Sequence, residues 1–282
     1  MSRVWWNGHE MPQQKLPTTP GSRLGDGVLE TLRTYEGVPF LLDAHLERLF
    51  SGARSIRLVG LPSRRSLDAR IRDILGASRR RDRIDHVVRI LLTEGGARTD
   101  VTVVLDPLPT GAAYQGTRGL RVGTSAYSHP GPFFLPAGAK GPAKWVGRGP
   151  LVHALREAQR RGWDEAILAN ARGAFVEGTR SNLFAVVGGR LVAPGPRAMA
   201  LQGVTRNLVL VAARRKGWRV EDRPVTVGEL RRASEAFLTS SLLGVVPIVR
   251  WGRWHWGSEG PVVRTLRAAH SNEVRRANER SD

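Results

Sequence analysis

Glu165-Ala-Ile-Leu-Ala-Asn170, Ala174-Phe-Val-Glu177 and Asn182-Leu-Phe-Ala-Val-Val187 follow one another with turns through Arg172-Gly173 and Gly178 between them. Each is a short apolar run bounded by turn residues, which predicts consecutive strands, and Gly188-Gly189 marks a hairpin before Arg190-Leu-Val-Ala193. Upstream, Leu151, Val152, Leu155 and Ala158 share one helical face, with Arg156, Glu157 and Arg160 on the other and Gly162 as the stop. Downstream, Leu201-Gln-Gly-Val-Thr-Arg206 opens the apolar run from Asn207 to Ala213. Glycine and threonine at a helix start leave backbone N–H groups at a positive dipole end, fit for a phosphate or for a plain cap by Thr205. Glu177 closes its strand as either a surface turn residue or a buried carboxylate with a cationic partner.

Lysine is nearly absent from a very basic chain. Lys and Arg total 44, yet the lysines are Lys15, Lys140, Lys144 and Lys216 alone. Arginine cannot lose its proton near neutral pH. A desolvated lysine can, and its free amine adds to a carbonyl to form a Schiff base. Lys140 and Lys144 lie in one approach, Ala139-Lys-Gly-Pro-Ala-Lys144, just ahead of the helix.

With Gly25-Asp-Gly-Val-Leu-Glu-Thr-Leu-Arg33, His45-Leu-Glu-Arg48-Leu49 and Thr239-Ser-Ser241 added, these blocks resemble the class IV aminotransferases, the fold type IV group of pyridoxal phosphate enzymes. The likeness runs from about Val4 to about Trp251, with all blocks in the family's order. It implies an α+β, two-domain fold: a smaller α/β N-terminal domain and a larger C-terminal domain with a β-barrel-like core. It implies pyridoxal 5'-phosphate as cofactor, with Lys144 as the amine that holds the aldehyde and later moves a proton. Glu177 is implied beside the pyridine nitrogen. Arg48, the backbone of Val204 and Thr205 with the Thr205 hydroxyl, and Ser240 and Ser241 are implied on the phosphate. A homodimer is implied too, and Phe133-Phe-Leu135, Trp5 and Trp6 are apolar enough to serve it.

Substrate choice is thinly written. The family holds D-amino-acid and branched-chain aminotransferases and 4-amino-4-deoxychorismate lyases. Glu30 resembles the transaminases more than the lyases, and the spacing from Lys144 to Glu157-Ala158 resembles the D-amino-acid enzymes more than the branched-chain ones, whereas Arg148 and Thr239-Ser-Ser-Leu-Leu-Gly-Val-Val-Pro247 lean toward the lyases. The expectation is a transaminase for D-amino acids such as D-alanine or D-glutamate, with pyruvate or 2-oxoglutarate as acceptor. The lyase and the branched-chain L-amino-acid aminotransferase are the alternatives. Where the family carries an arginine after Thr93, this chain has Glu94, so another arginine must hold the substrate carboxylate. Arg33, Arg89, Arg98 and Arg180 are the candidates, with Glu30 as a resting partner. Arg89 leads because it interrupts the apolar strand Val87-Val-Arg-Ile-Leu-Leu92, where an unpaired guanidinium is costly.

Composition closes other routes. With no cysteine, the chain has no disulfide, thiolate metal site or cysteine nucleophile, and no metal is expected. No apolar run is long enough to span a bilayer and no signal segment opens the chain, which predicts a cytoplasmic protein without a membrane partner. The formal charge of +19 raises nucleic acid as a partner. However, the arginines are spread along helical faces beside acids, and no basic motif with interleaved aromatics occurs, so none is expected. The positive field favours anionic keto acids and a phosphorylated cofactor.

The expected organisation is an N-terminal α+β domain over 1–127, a Pro/Gly-rich linker over 128–142 and a cofactor-binding domain over 143–282. Within the first, Val28–Tyr35 and Val38–Leu42 read as a hairpin, Asp43 as a helix cap, and Ser66–Leu75 as a second helix. Strands are expected over Val87–Leu92, Val101–Leu105 and Leu120–Thr124, and a frayed tail from His270.

Overall fold

Every second residue of three successive strands enters one core: Val28 and Leu32, then Val88, Ile90 and Leu92, then Val101, Val103 and Leu105. That period of two fixes a half-buried sheet. In the computed structural model, which describes residues 2–12, 18–82, 84–109, 119–129 and 143–280, the chain forms two compact units. One gathers the residues up to Pro109, the segment Ala143–Gly147 and the end from Val274. Its antiparallel sheet comprises β1 (Arg3–Trp6), β2 (His9–Met11), β3 (Gly27–Tyr35), β4 (Val38–Pro39), β5 (His86–Glu94) and β6 (Thr99–Pro107), in the order β2-β1-β6-β5-β3-β4. A short helix, α1 (Pro20–Leu24), precedes β3. The helices α2 (Leu42–Ser55) and α3 (Arg64–Asp82) bring Leu46, Leu49, Phe50, Leu67 and Ile71 into the same core. Each such side chain contributes about 1.5–3 kcal/mol when fully buried.

Several local expectations shift. The cap of α2 is Leu41 in a left-handed conformation at φ 54°, and Asp43 lies inside the first turn, where its charge meets the positive dipole end. α3 runs on past Leu75 because Gly76, costing about 1 kcal/mol, does not break a helix that Ile71 and Ile74 anchor. Trp5 fills the core of its own unit, which removes it from the interface argument; Trp6 is half-buried, and Phe133–Leu135 lie outside the described residues. On the β3 edge that β4 leaves open, Leu29 N–H donates to Lys144 O at 2.8 Å and Val146 N–H to Gly27 O at 2.9 Å. Lys144 is thereby held to β3 by backbone pairing within this unit.

The other unit contains β7 (Leu120–Thr124), α4 (Gly149–Arg160), β8 (Glu165–Ala169), β9 (Phe175–Gly178), β10 (Asn182–Val187), β11 (Arg190–Val192), α5 (Val204–Arg215), β12 (Val220–Glu221), α6 (Val227–Arg232), β13 (Glu235–Ser240), β14 (Gly244–Trp251), β15 (Trp254–His255) and most of α7 (Pro261–Glu279). Pairing runs β10-β13-β14-β7-β8-β9 and returns from β9 to β10 through Glu177 and Asn182, so six strands close a barrel. Closure leaves none of these six as a free edge. One face of the barrel strands packs Val122, Ile167, Leu183, Leu238 and Val246 together; the other sets Phe184, Phe237 and Val245 against α5 and α7.

β7 was expected with the N-terminal domain, but it pairs in parallel with both β14 and β8 and is part of this barrel. The expected tail at His270 is instead continuous helix. Buried Glu235 takes the Val262 and Val263 N–H groups at 3.0 and 2.9 Å, which satisfies the start of α7, while Val263, Leu266 and His270 are buried along it.

Candidate active site

In the sheet unit, the core face of β3 carries one acid among aliphatic residues. Glu30 has no solvent exposure and no freedom to remain unpaired. Two residues one helical turn apart on α2 meet it: Arg48 donates from Nε at 2.6 Å and from Nη2 at 2.7 Å, and His45 Nδ1 lies at 2.7 Å. Lys144 Nζ stands 4.0 Å from the same carboxylate. Burial alone would raise the Glu30 pKa, but Arg48, Lys144 and His45 outweigh it and hold the carboxyl far below the usual range. Burial dominates at His45 and lowers its pKa against the pull of Glu30, so this imidazole is neutral near pH 7. Arg48 is therefore a half-buried cation on an acid and not plain surface charge.

In the barrel unit, Glu177 lies in β9, one residue before its end, directly across from Asn182, the first residue of β10. Its Oε2 accepts from the Leu201 N–H at 2.9 Å and from Asn182 Nδ2 at 3.2 Å; its Oε1 lies 3.1 Å from His129 Nε2. Asn182 also donates to Leu201 O at 2.7 Å. A Cβ on Gly203 would come within 2.0 Å of the Asn182 Oδ1, so only glycine allows this approach. Gly203 is also the N-cap of α5 and offers no capping side chain, which leaves the N–H groups of Val204 and Thr205 facing outward from the helix start. Thr205 is buried and is not the cap. At the β13–β14 turn, Ser240 Oγ accepts from Leu243 N–H at 3.2 Å, and Gly244 takes φ 68°, a conformation that favours glycine.

The turn between β9 and β10 has its own organiser. Buried Glu165 accepts from Thr179 N–H at 3.2 Å, Thr179 Oγ1 at 2.5 Å and Ser181 Oγ at 3.1 Å. Arg180 Nε lies 3.6 Å from the same acid, and Arg148 Nη2 donates to Thr179 O at 2.5 Å. Arg206, buried behind the start of α5, donates to Ala193 O and Pro194 O, both at 3.0 Å. Burial lowers its pKa, and Asp222 and Glu177 oppose that shift.

The four arginines proposed for a substrate carboxylate fare differently. Arg89 was expected buried against Glu30. It points to the opposite face of the sheet, since it registers with Thr31 while Glu30 registers with Ile90, and it pairs with Asp106 at a half-exposed position. Arg33 is buried, donates to Thr34 O, lies 3.7 Å from Asp85 and stacks on the Tyr35 ring. Arg98 is exposed, and Arg180 engages Glu165. Glu94 accepts from Gly96 N–H in its own turn. Lys140 lies outside the described residues. Sequence reading passed over His129, Asn182, Leu201 and Glu165. Asn182 and Leu201 lie in quoted blocks, whereas His129 carries no signal beyond a lone histidine before a proline.

These donors fit pyridoxal phosphate. Within the sheet unit, Lys144 is an amine of the kind an aldehyde needs and Arg48 a cation of the kind a phosphate needs; within the barrel unit, Glu177 is an acceptor of the kind a protonated pyridine needs, and the start of α5 carries uncapped N–H groups. No group of three or more His, Cys, Asp or Glu side chains that could hold a metal occurs among the described residues, and no described helix is long and apolar enough to cross a membrane.

Comparison with known proteins gives the same picture. Residues 27–251 match the family model described as Amino-transferase class IV. A protein of Methanocaldococcus jannaschii named putative branched-chain-amino-acid aminotransferase is 30% identical over 240 residues, covering 81% of this chain and 79% of that protein. The D-alanine aminotransferase of Bacillus licheniformis is 26% identical over 291 residues, covering 96% and 97%. Among solved structures, the branched-chain aminotransferase of Thermoproteus uzoniensis with norvaline superposes with a TM-score of 0.87 at 25% identity, over 99% of this chain and 96% of that one.

Proposed function

We propose, for a chain that belongs to the class IV aminotransferase family and uses pyridoxal phosphate, that it moves an amino group between a branched-chain L-amino acid and a 2-oxo acid. The observation that carries the chemistry is the pairing of one near-buried lysine, Lys144, with the buried Glu30, which His45 and the half-buried Arg48 also meet. Branched-chain substrates are placed ahead of the D-amino acids expected from the sequence because the relative of higher identity, and the solved structure, carry branched-chain names. D-Alanine stays as the second reading, supported by the relative matched over nearly its whole length.

When bound, pyridoxal phosphate supplies the aldehyde that takes the amino group and the ring that withdraws electron density from the substrate α-carbon. Lys144 would hold the aldehyde through Nζ and, as a free amine, would accept the substrate α-proton there, and backbone pairing with β3 fixes the base of its side chain. Glu177 holds the ring nitrogen's proton by accepting it in a hydrogen bond. Arg48, the N–H groups of Val204 and Thr205, and Ser240 and Ser241 hold the phosphate. We further propose a homodimer as the working form.

Borohydride reduction of the cofactor-loaded protein followed by peptide mapping tests the chemical core: the label falls on Lys144, and a label on Lys216 or Lys140 overturns the assignment. L-Leucine, D-alanine and 4-amino-4-deoxychorismate assayed side by side test the substrate class. Turnover of L-leucine to its 2-oxo acid is expected to lead. Turnover of D-alanine alone would reverse the order, and pyruvate release from the chorismate alone would replace transamination by the lyase.

A further inference from the structure

We infer that His129 is a positioning residue for Glu177, a role that rests on the proposed seat of Glu177 at the cofactor's ring nitrogen. An ionised carboxylate offers about four lone-pair sites. At Glu177 three are engaged: Leu201 N–H and Asn182 Nδ2 on Oε2, and His129 Nε2 on Oε1. One site is left for a single further donor. The three partners come from separate stretches of the barrel unit: the loop before α5, the start of β10, and the segment after β7. Together they remove rotation about the last side-chain bond of Glu177.

His129 is the one that fixes Oε1. Its N–H donates to Ala169 O at 2.7 Å, and Ser125 N–H donates to Ile167 O at 2.8 Å, so the segment from Ser125 to His129 runs on along β8. The imidazole is buried, with 5% side-chain exposure, and Nε2 meets an acid that can only accept. The proton therefore sits on Nε2. Glu177 accepts at each engaged site and presents an acceptor, not a donor, to its fourth partner. That is the polarity a protonated pyridine needs. Without His129, Oε1 loses its protein donor and is open to water, and the fourth site is less firmly directed.

The contact can be read without cofactor. In apoprotein labelled at histidine nitrogen, the His129 ring gives the spectrum of the Nε2–H tautomer, and Glu177→Ala shifts that signal; an Nδ1–H tautomer, or no response to Glu177→Ala, overturns the pairing. In the loaded enzyme, His129→Leu lowers kcat roughly tenfold to a hundredfold with KM within about twofold, the loss of one hydrogen bond to a charged group. His129→Gln, whose amide can reach the same oxygen, recovers most of that loss. In a Glu177→Gln background, His129→Leu adds less than about twofold, because its action passes through Glu177. Equal losses in both backgrounds, or no rescue by His129→Gln, overturn the proposal. Should Glu177→Gln alone leave turnover unchanged, the seat of Glu177 is wrong while the tautomer experiment still decides the His129 contact.

Discussion

Glu30→Gln is the sharpest perturbation of the sheet unit. The substitution keeps volume and one acceptor oxygen but removes the charge that Arg48 meets at 2.6 and 2.7 Å and that Lys144 faces at 4.0 Å. Removing one partner of a buried pair costs about 3–5 kcal/mol. Because the amide still accepts one hydrogen bond and Arg48 is not wholly buried, the low end, about 3 kcal/mol, is expected for the apoprotein. That is a large part of the roughly 5–15 kcal/mol that holds a folded domain together. Saturating pyridoxal phosphate should recover about 1.4 kcal/mol of the loss, since a phosphate gives Arg48 a second anion, and linkage makes this the same as roughly tenfold tighter cofactor binding by the variant. Urea unfolding of both proteins, with and without cofactor, measures the two differences. A loss below about 1 kcal/mol without cofactor would show that the buried cluster stabilises nothing. Equal losses with and without cofactor would remove Arg48 from the phosphate.

Other outcomes follow from the same contacts. Glu177→Gln should retain cofactor yet lose orders of magnitude in kcat, because an amide no longer favours a protonated ring nitrogen; unchanged turnover removes Glu177 from the reaction. Arg89→Leu should leave KM for every substrate within about twofold and cost no more than about 1 kcal/mol in unfolding, as its pair with Asp106 is half-exposed. A tenfold rise in KM would return Arg89 to the pocket. Glu229, bound by Arg223 and closing a capping box with Thr226, has its pKa brought down to about 2. A depressed folded value means its contribution is whole above the unfolded value of 4.5 and fades as pH falls toward about 2. Wild type and Glu229→Gln should therefore differ in urea stability at pH 6 and converge at low pH. A gap that persists at low pH would refute the linkage.

How much could be read from the chain depended on range. The strands around Glu177 and the helix after Gly203 were legible because short apolar runs and the turn residues and glycines that bound them act within a few residues. β7 was misassigned because five residues, Leu120–Thr124, identify a strand but not its partners, and pairing with β14 and β8 spans more than forty residues of sequence either way. Arg89 misled for a related reason. A charge inside an apolar run shows that one face is polar, but which face meets Glu30 follows from register, and register is set by β3 across the sheet. His129 gave no local signal, since its partner is an acid 48 residues away.

The two units hold Glu30 and Glu177 in different surroundings. Around Glu30, Arg48 donates twice, His45 Nδ1 lies at 2.7 Å and Lys144 Nζ at 4.0 Å, and burial lowers the pKa of His45. Around Glu177, the hydrogen-bonding partners named are a backbone N–H, an amide and an imidazole, while Arg206 spends its donors on Ala193 O and Pro194 O. The near-absence of lysine sharpens this division. Arginine carries nearly all of the positive charge, and Lys144, 4.0 Å from Glu30, is an amine that, unlike a guanidinium, can lose a proton near neutral pH.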